Sequence, residues 1–253
     1  MGDKMEIIEA YWEKRNINVD TYEIRLNIND LYDISNIVKH ISSDKYKNAY
    51  LIIKMPVSNI KALHFLEDNG FRFMETQFHV KKILKDHDTP KLLSRLKNIL
   101  EQREINKDKK SWKAVTDLMT DSMFYTDRIY LDPKLKKGTS CRRYQNWIID
   151  LVEDSNSHLF VYYYKDIPVG FGLVKIDYEK KIVYDLLEGI FEKYQNNGFG
   201  YMMFDLALKN YQKLGIEKLE TCISSNNQSI LSLDLMFGYT IEKEEYVLRK
   251  FNN

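Results

Sequence analysis

Residues 181–204 read KIVYDLLEGIFEKYQNNGFGYMMF, and this stretch decides the fold. Its first part, residues 181–191, is a largely apolar run, which predicts a strand. A short polar loop follows, in which Gln195, Gly198 and Gly200 form the pattern Q-x-x-G-x-G ahead of a predicted helix. A helix amino terminus presents free N–H groups and a partial positive charge, and glycines let the backbone come close to a ligand. The stretch therefore predicts either a phosphate-binding loop or an ordinary strand–helix turn.

The segments on both sides predict a mostly antiparallel sheet. Two strand-like segments precede the stretch, and their joints are short and polar, so an antiparallel meander is the economical topology. A Rossmann interpretation is weaker, because G-x-G-x-x-G is absent and the neighbouring strands look antiparallel. The predicted strands of this part span residues 158–165, 168–178, 181–191, 218–224 and 239–249. The predicted helices span about 200–213 and 228–236, and apolar helical stripes also run from Trp112 to Met123 and from Tyr144 to Leu151.

The first part of the chain contains a related pattern. Residues 48–54 predict a buried strand, and a helix with an Asn start and a Gly end is predicted to lead into a strand over 71–84. The spacing from Asn59 to Gly70 equals that from Asn227 to Gly238, and an aromatic residue follows each glycine. We interpret the two halves as related strand–helix–strand units, with chance similarity as the alternative.

A domain boundary is predicted near residue 85. The sequence Asp-Thr-Pro at 88–90 is a good helix start, and a connecting helix is predicted to continue through about residue 103. Its apolar stripe consists of Leu92, Leu93, Leu96, Ile99 and Leu100. The charged stretch from Glu101 to Lys110 is predicted to be a linker. Residues 1–85 are then one domain, and residues 86–253, connecting helix included, the second.

The composition excludes several classes of protein. With 44% hydrophobic and 13% aromatic residues the chain is too apolar to be disordered. The balance of 38 basic and 37 acidic residues lacks the charge excess of a nucleic-acid binder, so no nucleic-acid partner is expected. No run of 18 apolar residues predicts a membrane span, and charges near the amino end disfavour a signal peptide. Two cysteines favour a cytoplasmic protein, and the five histidines have no metal-site spacing, so no metal is expected.

The order of these elements resembles the GCN5-related N-acetyltransferase (GNAT) family across about residues 109–253. The family's loop pattern R/Q-x-x-G-x-G/A is filled by the Gln195–Gly200 loop, and its later pattern by Asn227, Gly238 and Tyr239. The resemblance implies an α+β GNAT fold, with a mixed, mostly antiparallel sheet flanked by helices. It also implies that residues 1–85 form a smaller, partial GNAT-like α/β domain.

The resemblance implies that the cofactor is acetyl-CoA or another acyl-CoA. Its diphosphate would be held by backbone N–H groups from Asn196 to Tyr201. Pantetheine would lie in a gap between Glu188–Ile190 and Thr221–Ser224, bonding to main chain as an added strand would. The cofactor-binding residues implied are Gly189, Ile190, Gln195, Asn196, Asn197, Gly198, Phe199, Gly200, Tyr201 and Asn227.

The reaction implied is direct attack of an amine on the thioester, which needs a base because an alkyl ammonium is protonated at neutral pH. Strand alternation places Glu188 on one face with Tyr184, Leu186 and Ile190, and this family commonly carries its base on that strand. Glu188 is therefore the candidate base, and a surface or salt-bridged glutamate is the alternative. A main-chain N–H near Ile190 would meet the oxyanion.

One position departs from the family pattern. Where many members carry a tyrosine that protonates the leaving thiolate, this chain has Asp234, and an ionised aspartate cannot donate a proton. Either Asp234 points away, or another phenol such as Tyr246 substitutes, or water protonates the thiolate. The candidate catalytic residues are accordingly Glu188 and Tyr246.

The segment Ser122-Met-Phe-Tyr-Thr-Asp-Arg128 resembles one found near the acceptor in dTDP-fucosamine acetyltransferases and related amino-sugar enzymes. That resemblance implies substrate binding by Phe124, Tyr125 and Arg128, while simple packing of a helix end is the alternative. A nucleotide-linked amino sugar is the favoured acceptor among small-molecule amines. The remaining alternatives are another amine, a protein amine, or a non-catalytic CoA-binding regulatory module. No membrane partner is expected, and a homodimer is left open.

Overall fold

The computed structural model describes residues 5–85, 88–91 and 99–252, which form one continuous mixed sheet flanked by helices. Its strands are β1 (Glu6–Glu9), β2 (Thr21–Arg25), β3 (Ala49–Pro56), β4 (Arg72–Ile83), β5 (Glu101–Glu104), β6 (Ser157–Tyr164), β7 (Ile167–Asp177), β8 (Ile182–Ile190), β9 (Lys218–Ser224) and β10 (Thr240–Asn252). Its α-helices are α1 (Tyr11–Ile17), α2 (Ile34–Ile41), α3 (Ile60–Asp68), α4 (Lys109–Thr116), α5 (Arg128–Leu131), α6 (Thr139–Asp150), α7 (Phe199–Lys213) and α8 (Gln228–Met236).

The strands lie in the order β1-β2-β3-β10-β4-β9-β8-β7-β6-β5. Among the described strands, β2 with β3 and β8 with β9 are the parallel pairs, and the other neighbours are antiparallel. The predicted α+β class with a mostly antiparallel sheet is confirmed, as is the meander of β6, β7 and β8. Short polar joints set this topology, because antiparallel strands can follow each other through a tight turn.

The two halves of the chain exchange strands. Both contain a strand–helix–strand unit, β3-α3-β4 and β9-α8-β10, and an asparagine caps each helix. Asn59 accepts a hydrogen bond from the Ala62 N–H at 3.0 Å, and Asn227 accepts one from the Ile230 N–H at 3.4 Å. The last strand of each unit lies inside the other unit, since β10 pairs with β3 and β4 while β4 pairs with β10 and β9. The boundary near residue 85 stays a prediction.

Apolar residues cover both faces of the sheet around β7. Phe171 and Leu173 pack with α4 and α6, whereas Val174 and Ile176 belong to the core formed with α7. Because successive side chains of a strand point to opposite faces, one strand serves both layers. The largest buried side chain in the layer of α4 and α6 is Trp112, which α4 contributes.

Two local predictions between the halves are wrong. Glu101–Glu104, predicted within a linker, is strand β5, which pairs antiparallel with β6 and donates a hydrogen bond from Gln102 Nε2 to the Tyr162 hydroxyl at 2.9 Å. A polar edge strand of four residues has no apolar alternation to reveal it. The predicted connecting helix does not continue through residue 103, because β5 begins at Glu101. Residues 92–98 of this predicted helix lie outside the described part.

Candidate active site

The strands β8 and β9 part midway along the sheet. They pair in parallel from Ile182 with Lys218 to Tyr184 with Glu220, and not beyond. At the point of divergence the Thr221 hydroxyl donates to the Asp185 carbonyl at 3.0 Å. From Asp185 to Ile190, β8 pairs with β7 and with no other strand of the described residues. The resulting gap, bounded by residues 185–190 and 221–224, is called the β8–β9 opening. It leaves main-chain groups of β8 able to pair with an extended ligand.

A β-bulge in β8 decides which side chains face this opening. Leu173 pairs with Leu187 and Val174 with Asp185, so Leu186 is an extra residue. Leu186 packs under α4 and α6. Glu188 lies on the other face, because a β-carbon at Gly172 would be 3.4 Å from Glu188 Oε1 and 3.7 Å from the Tyr162 hydroxyl. The predicted grouping of Glu188 with Leu186 is therefore wrong, since a bulge interrupts strict alternation.

Three carboxyl groups, Asp185, Glu188 and Asp234, are linked by the effect of their charges on one another's pKa, and we call them the carboxyl cluster. Burial raises the pKa of Asp185. Burial, followed by the charges of Asp185 and Asp234, raises the pKa of Glu188 well above its usual range. Burial and then Asp185 raise the pKa of Asp234 to about 8. Desolvation disfavours the charged form of each acid, and Asp234, with a pKa of about 8, retains its proton at neutral pH.

The carboxyl cluster predicts a pH dependence of stability. Asp234 binds its proton more tightly in the folded than in the unfolded state, so the free energy of unfolding falls as pH rises from about 4 to about 8. One such group contributes a slope of up to ~1.4 kcal/mol per pH unit. Glu13 and Glu245 have lowered pKa values, and their contributions are complete above about pH 5. Urea unfolding between about pH 5.5 and 7.5 measures the slope, which should be shallower in Asp234→Asn. An equal slope in both proteins would contradict this assignment.

The glycine loop closes the end of β8 and starts α7. Gln195 Nε2 donates to the Ile190 carbonyl at 3.1 Å, and Asn197 Nδ2 donates to the Gln195 carbonyl at 3.0 Å. Asn196 and Gly198 have φ values of 62° and 77°, which the turn into the helix requires. No side chain caps the start of α7, and a β-carbon at Gly198 or Gly200 would meet nothing within 4 Å. Free helix N–H groups beside open space fit an anion such as a diphosphate.

The other predicted cofactor residues lie around this loop and the opening. Gly189 and Ile190 end β8, Phe199 and Tyr201 begin α7, and Asn227 caps α8. The structure therefore brings these residues to one end of the β8–β9 opening. Their binding roles stay predictions.

The predicted substrate segment touches β8, although two of its residues are engaged elsewhere. A β-carbon at Gly189 would be 3.0 Å from Met123 Cε. Phe124 is buried and stacks on Tyr144 with ring centroids 4.5 Å apart. Arg128 is 6% exposed, and its Nη2 donates to Glu13 Oε1 at 2.9 Å. Tyr125 is exposed. Substrate binding stays a prediction for all three residues, and Tyr125 is the one that a ligand can reach.

The structure does not bring Tyr246 to the opening. Its ring packs edge-on against Phe73, with centroids 5.7 Å apart, beside the apolar core of α2 and α3. Two strands, β4 and β9, separate β10 from β8.

Sequence reasoning missed Asp185, whose position inside an apolar strand is the signal that marks it. It also missed Tyr162 and Tyr211, which are buried beside the carboxyl cluster.

Known proteins match this architecture. Residues 112–234 match the family model of the acetyltransferase (GNAT) family. A functionally unknown conserved protein from Staphylococcus epidermidis superposes with a TM-score of 0.65 at 14% identity, covering 100% of this chain and 93% of that one. A GCN5-related N-acetyltransferase from Sphaerobacter thermophilus gives 0.62 at 11%, with coverages of 98% and 76%. One from Kribbella flavida gives 0.55 at 10%, with 91% and 81%. At these identities the structural likeness shows the fold.

The match and the fold together define the class of protein. Residues 112–234 match the GNAT family model and lie within a GNAT fold, which supports an N-acetyltransferase. No curated protein matches the sequence. Within the described residues no helix is long and apolar enough to cross a membrane, and no three His, Cys, Asp or Glu side chains are grouped as a metal site.

Proposed function

We propose that this N-acetyltransferase binds acetyl-CoA, or another acyl-CoA, along the β8–β9 opening and transfers the acyl group to a small-molecule amine. The observation that supports this placement is the continuity between an unpaired strand edge and a helix amino terminus. The edge of β8 runs from Asp185 to Ile190, and the Gly198 turn starts α7 directly afterwards. A molecule with an amide-bearing arm and a diphosphate matches both features in that order.

The bound cofactor would supply an acyl group activated as a thioester. Main-chain groups of β8 up to Ile190 would hold its amide-bearing arm, and the N–H groups from Asn196 to Tyr201 would hold its diphosphate. A main-chain N–H near Ile190 would stabilise the oxyanion, which is worth ~3 kcal/mol when well aimed. Glu188 would remove the proton of the amine, directly or through one water, and its raised pKa makes its carboxylate a stronger base than an ordinary glutamate.

The favoured acceptor is a nucleotide-linked amino sugar. This proposal depends on the segment from Ser122 to Arg128, which reaches β8 through Met123 and presents the exposed ring of Tyr125. An aromatic ring open to solvent beside the site can stack on a base or a sugar. Thiol release from acetyl-CoA, measured with a panel of nucleotide-linked amino sugars, simple amines and protein amines, would identify the acceptor. Turnover confined to simple or protein amines would contradict the favoured class.

A pair of glycine substitutions tests the cofactor site. Gly198 and Gly215 both have positive φ, 77° and 75°, and a β-carbon at either would meet nothing within 4 Å. Alanine should therefore strain the backbone similarly, by about 1 kcal/mol, at both positions. Gly198→Ala is expected to weaken coenzyme A binding at least ~10-fold, because its methyl group and the altered turn disturb the anion site. Gly215→Ala, at the far end of α7, should bind as the wild type does. Calorimetric titration with coenzyme A measures both, and equal affinities in the two variants would count against this site.

A further inference from the structure

The first half of the chain has no opening like the one between β8 and β9. Its own parallel strands, β2 and β3, are also joined through a helix, but they stay paired along the whole of β2, from Thr21 with Tyr50 to Arg25 with Lys54. Past the end of β2, the Leu26 N–H still donates to the Lys54 carbonyl at 2.9 Å. In residues 5–85, which the structure describes, this parallel pair therefore leaves no gap that an extended cofactor could enter. Beyond supplying β4, the first half must contribute to the reaction in another way.

Two buried acids of the first half hold an arginine of the predicted substrate segment, residues 122–128. This arginine, Arg128, is itself buried where the segment ends and α5 begins. Its Nη2 donates to Oε1 of Glu13, and its Nε lies 4.0 Å from Oε1 of Glu75. Glu13 belongs to α1 and Glu75 to β4, and both are buried. Because solvent screens buried charges much less than exposed ones, these contacts hold the arginine more firmly than surface ion pairs would.

The same oxygen of Glu13 also holds the helix on which the substrate segment rests. Arg143 of α6 donates from Nε to Glu13 Oε1 at 2.7 Å. At the start of α6, the Ser140 hydroxyl donates to the carboxylate of Asp127, which lies in the segment. One buried carboxylate of the first half thus joins both the substrate segment and the helix beneath it.

These contacts are an inefficient way to stabilise a fold. Oε2 of Glu13 and Nη1 of Arg128 are buried and have no hydrogen-bond partner within the described part of the chain. Desolvation of such groups offsets much of the attraction between the charges, and apolar side chains of similar volume often stabilise a protein equally well. A hydrogen-bonded ion pair differs from apolar packing in its narrow geometry, which fixes the positions of the groups that it joins. The arrangement therefore favours a role in positioning.

The substrate segment, held in this way, lies against the end of β8. A β-carbon at Gly189 would be 3.0 Å from Met123 Cε, and the ring of Tyr125, two residues further on, is exposed. We propose that Glu13 is a positioning residue for the acceptor, because through Arg128 it sets the place of the segment, and of Tyr125 with it, at the end of β8. The proposal rests on the proposed function, which assigns the acceptor to this segment. The first half of the chain then serves the acceptor, and the second half binds the cofactor.

Glu13→Gln tests the proposal, because glutamine keeps the size of the side chain and loses the charge that both arginines contact. Thiol release is measured with the amine of the acceptor panel that is turned over fastest. We expect the KM for this amine to rise at least ~10-fold, while kcat and the Kd for coenzyme A stay within about threefold of the wild-type values. An unchanged KM in a folded Glu13→Gln protein would overturn the proposal.

Arg15→Gln is the matched control for the docking of α1 on α6. Arg15 joins the same two helices through an exposed ion pair, in which its Nη1 and Nη2 donate to the Asp150 carboxylate at 2.9 and 2.7 Å. Its replacement should leave the KM, kcat and Kd at their wild-type values. A KM that rises as much in Arg15→Gln as in Glu13→Gln would show that the docking of α1 matters rather than the contact with Arg128, and would overturn the proposal.

Arg143→Met separates positioning from a general loss of stability. This substitution also removes an arginine from Glu13 Oε1, yet it leaves the contact between Glu13 and Arg128 in place. It should lower the midpoint of thermal unfolding and keep the KM for the amine within about twofold of the wild-type value. A KM that rises as much as in Glu13→Gln would show that it follows the stability of the buried charges, and the proposal would be wrong.

A second substitution of Glu13 covers the case in which Glu13→Gln fails to fold. Glu13→Asp keeps the charge and withdraws the carboxylate by one methylene group, so it replaces Glu13→Gln under the same criterion for the KM. A wild-type protein that binds no coenzyme A, or that acylates no amine of the panel, would contradict the proposed function, and this inference would fall with it. An active wild-type enzyme whose KM does not respond to Glu13 would contradict this inference alone.

Discussion

Replacing Glu188 by glutamine is expected to lower kcat by about 10²–10⁴-fold, the usual contribution of a general base. Glutamine keeps the size of the side chain and loses the ability to accept the proton of the amine. The dissociation constant for coenzyme A should change little, since the diphosphate is assigned to backbone groups near Gly198. Thiol release under saturating acceptor, together with calorimetric titration of coenzyme A, measures the two effects.

The pH profile makes this prediction specific to a base. Because the pKa of Glu188 is raised by burial and by Asp185 and Asp234, the wild-type kcat/KM should rise with pH over a range above that of an ordinary glutamate. This rising limb should disappear in Glu188→Gln. Because the three acids interact, the apparent pKa values of the pH profile belong to the carboxyl cluster as a whole. The profiles of the variants show on which residue each limb depends.

Glu192→Gln is the control for charge and position. Glu192 is exposed in the turn between β8 and α7, and its replacement should leave kcat within about twofold of the wild-type value, as is usual for surface substitutions. A Glu188→Gln protein that keeps both wild-type kcat and the rising limb would remove Glu188 from the role of base.

Local signals predicted much of this site, because its parts are contiguous in sequence. The strand before Gln195, the turn at Gly198 and the helix after it follow from apolar patterning and from helix start signals. The Asn starts at Asn59 and Asn227 predicted the two repeated helices for the same reason. Such features depend on a few neighbouring residues, so a single sequence contains them.

The features that sequence reasoning missed depend on distant contacts. The bulge at Leu186 is a mismatch between two strands, and neither strand alone encodes it. The sequence alone indicates an ordinary pKa for Asp234, whereas burial and Asp185 raise it in the folded chain. Arg128, a predicted substrate ligand, forms an ion pair with Glu13, and no local pattern connects the two residues.

Expression of residues 86–253 without residues 1–85 is expected to give no folded protein. Residues 86–253 lack β4, which lies between β9 and β10 and pairs with β9 from Gln77 to Ile83. It also loses Val80, which is 2% exposed in the core formed with α7. Burial of one such side chain is worth ~1.5–3 kcal/mol, and two long strand edges become unpaired as well. A fold of ordinary stability, ~5–15 kcal/mol, is not expected to survive these losses together.

Because the two halves exchange strands, each fragment depends on the other for folding. A complementation experiment with the two fragments tests this. Residues 1–85 alone lack β10, which pairs with β3 from Ala49 to Pro56 and also with β4. Each fragment alone should be insoluble or uncooperative in thermal unfolding. The two fragments expressed together should co-purify, unfold in one transition and bind coenzyme A, because the exchanged strands pair without a covalent link. Residues 86–253 that alone unfold cooperatively and bind coenzyme A would show instead that β4 is dispensable, and the boundary near residue 85 would then separate independent domains.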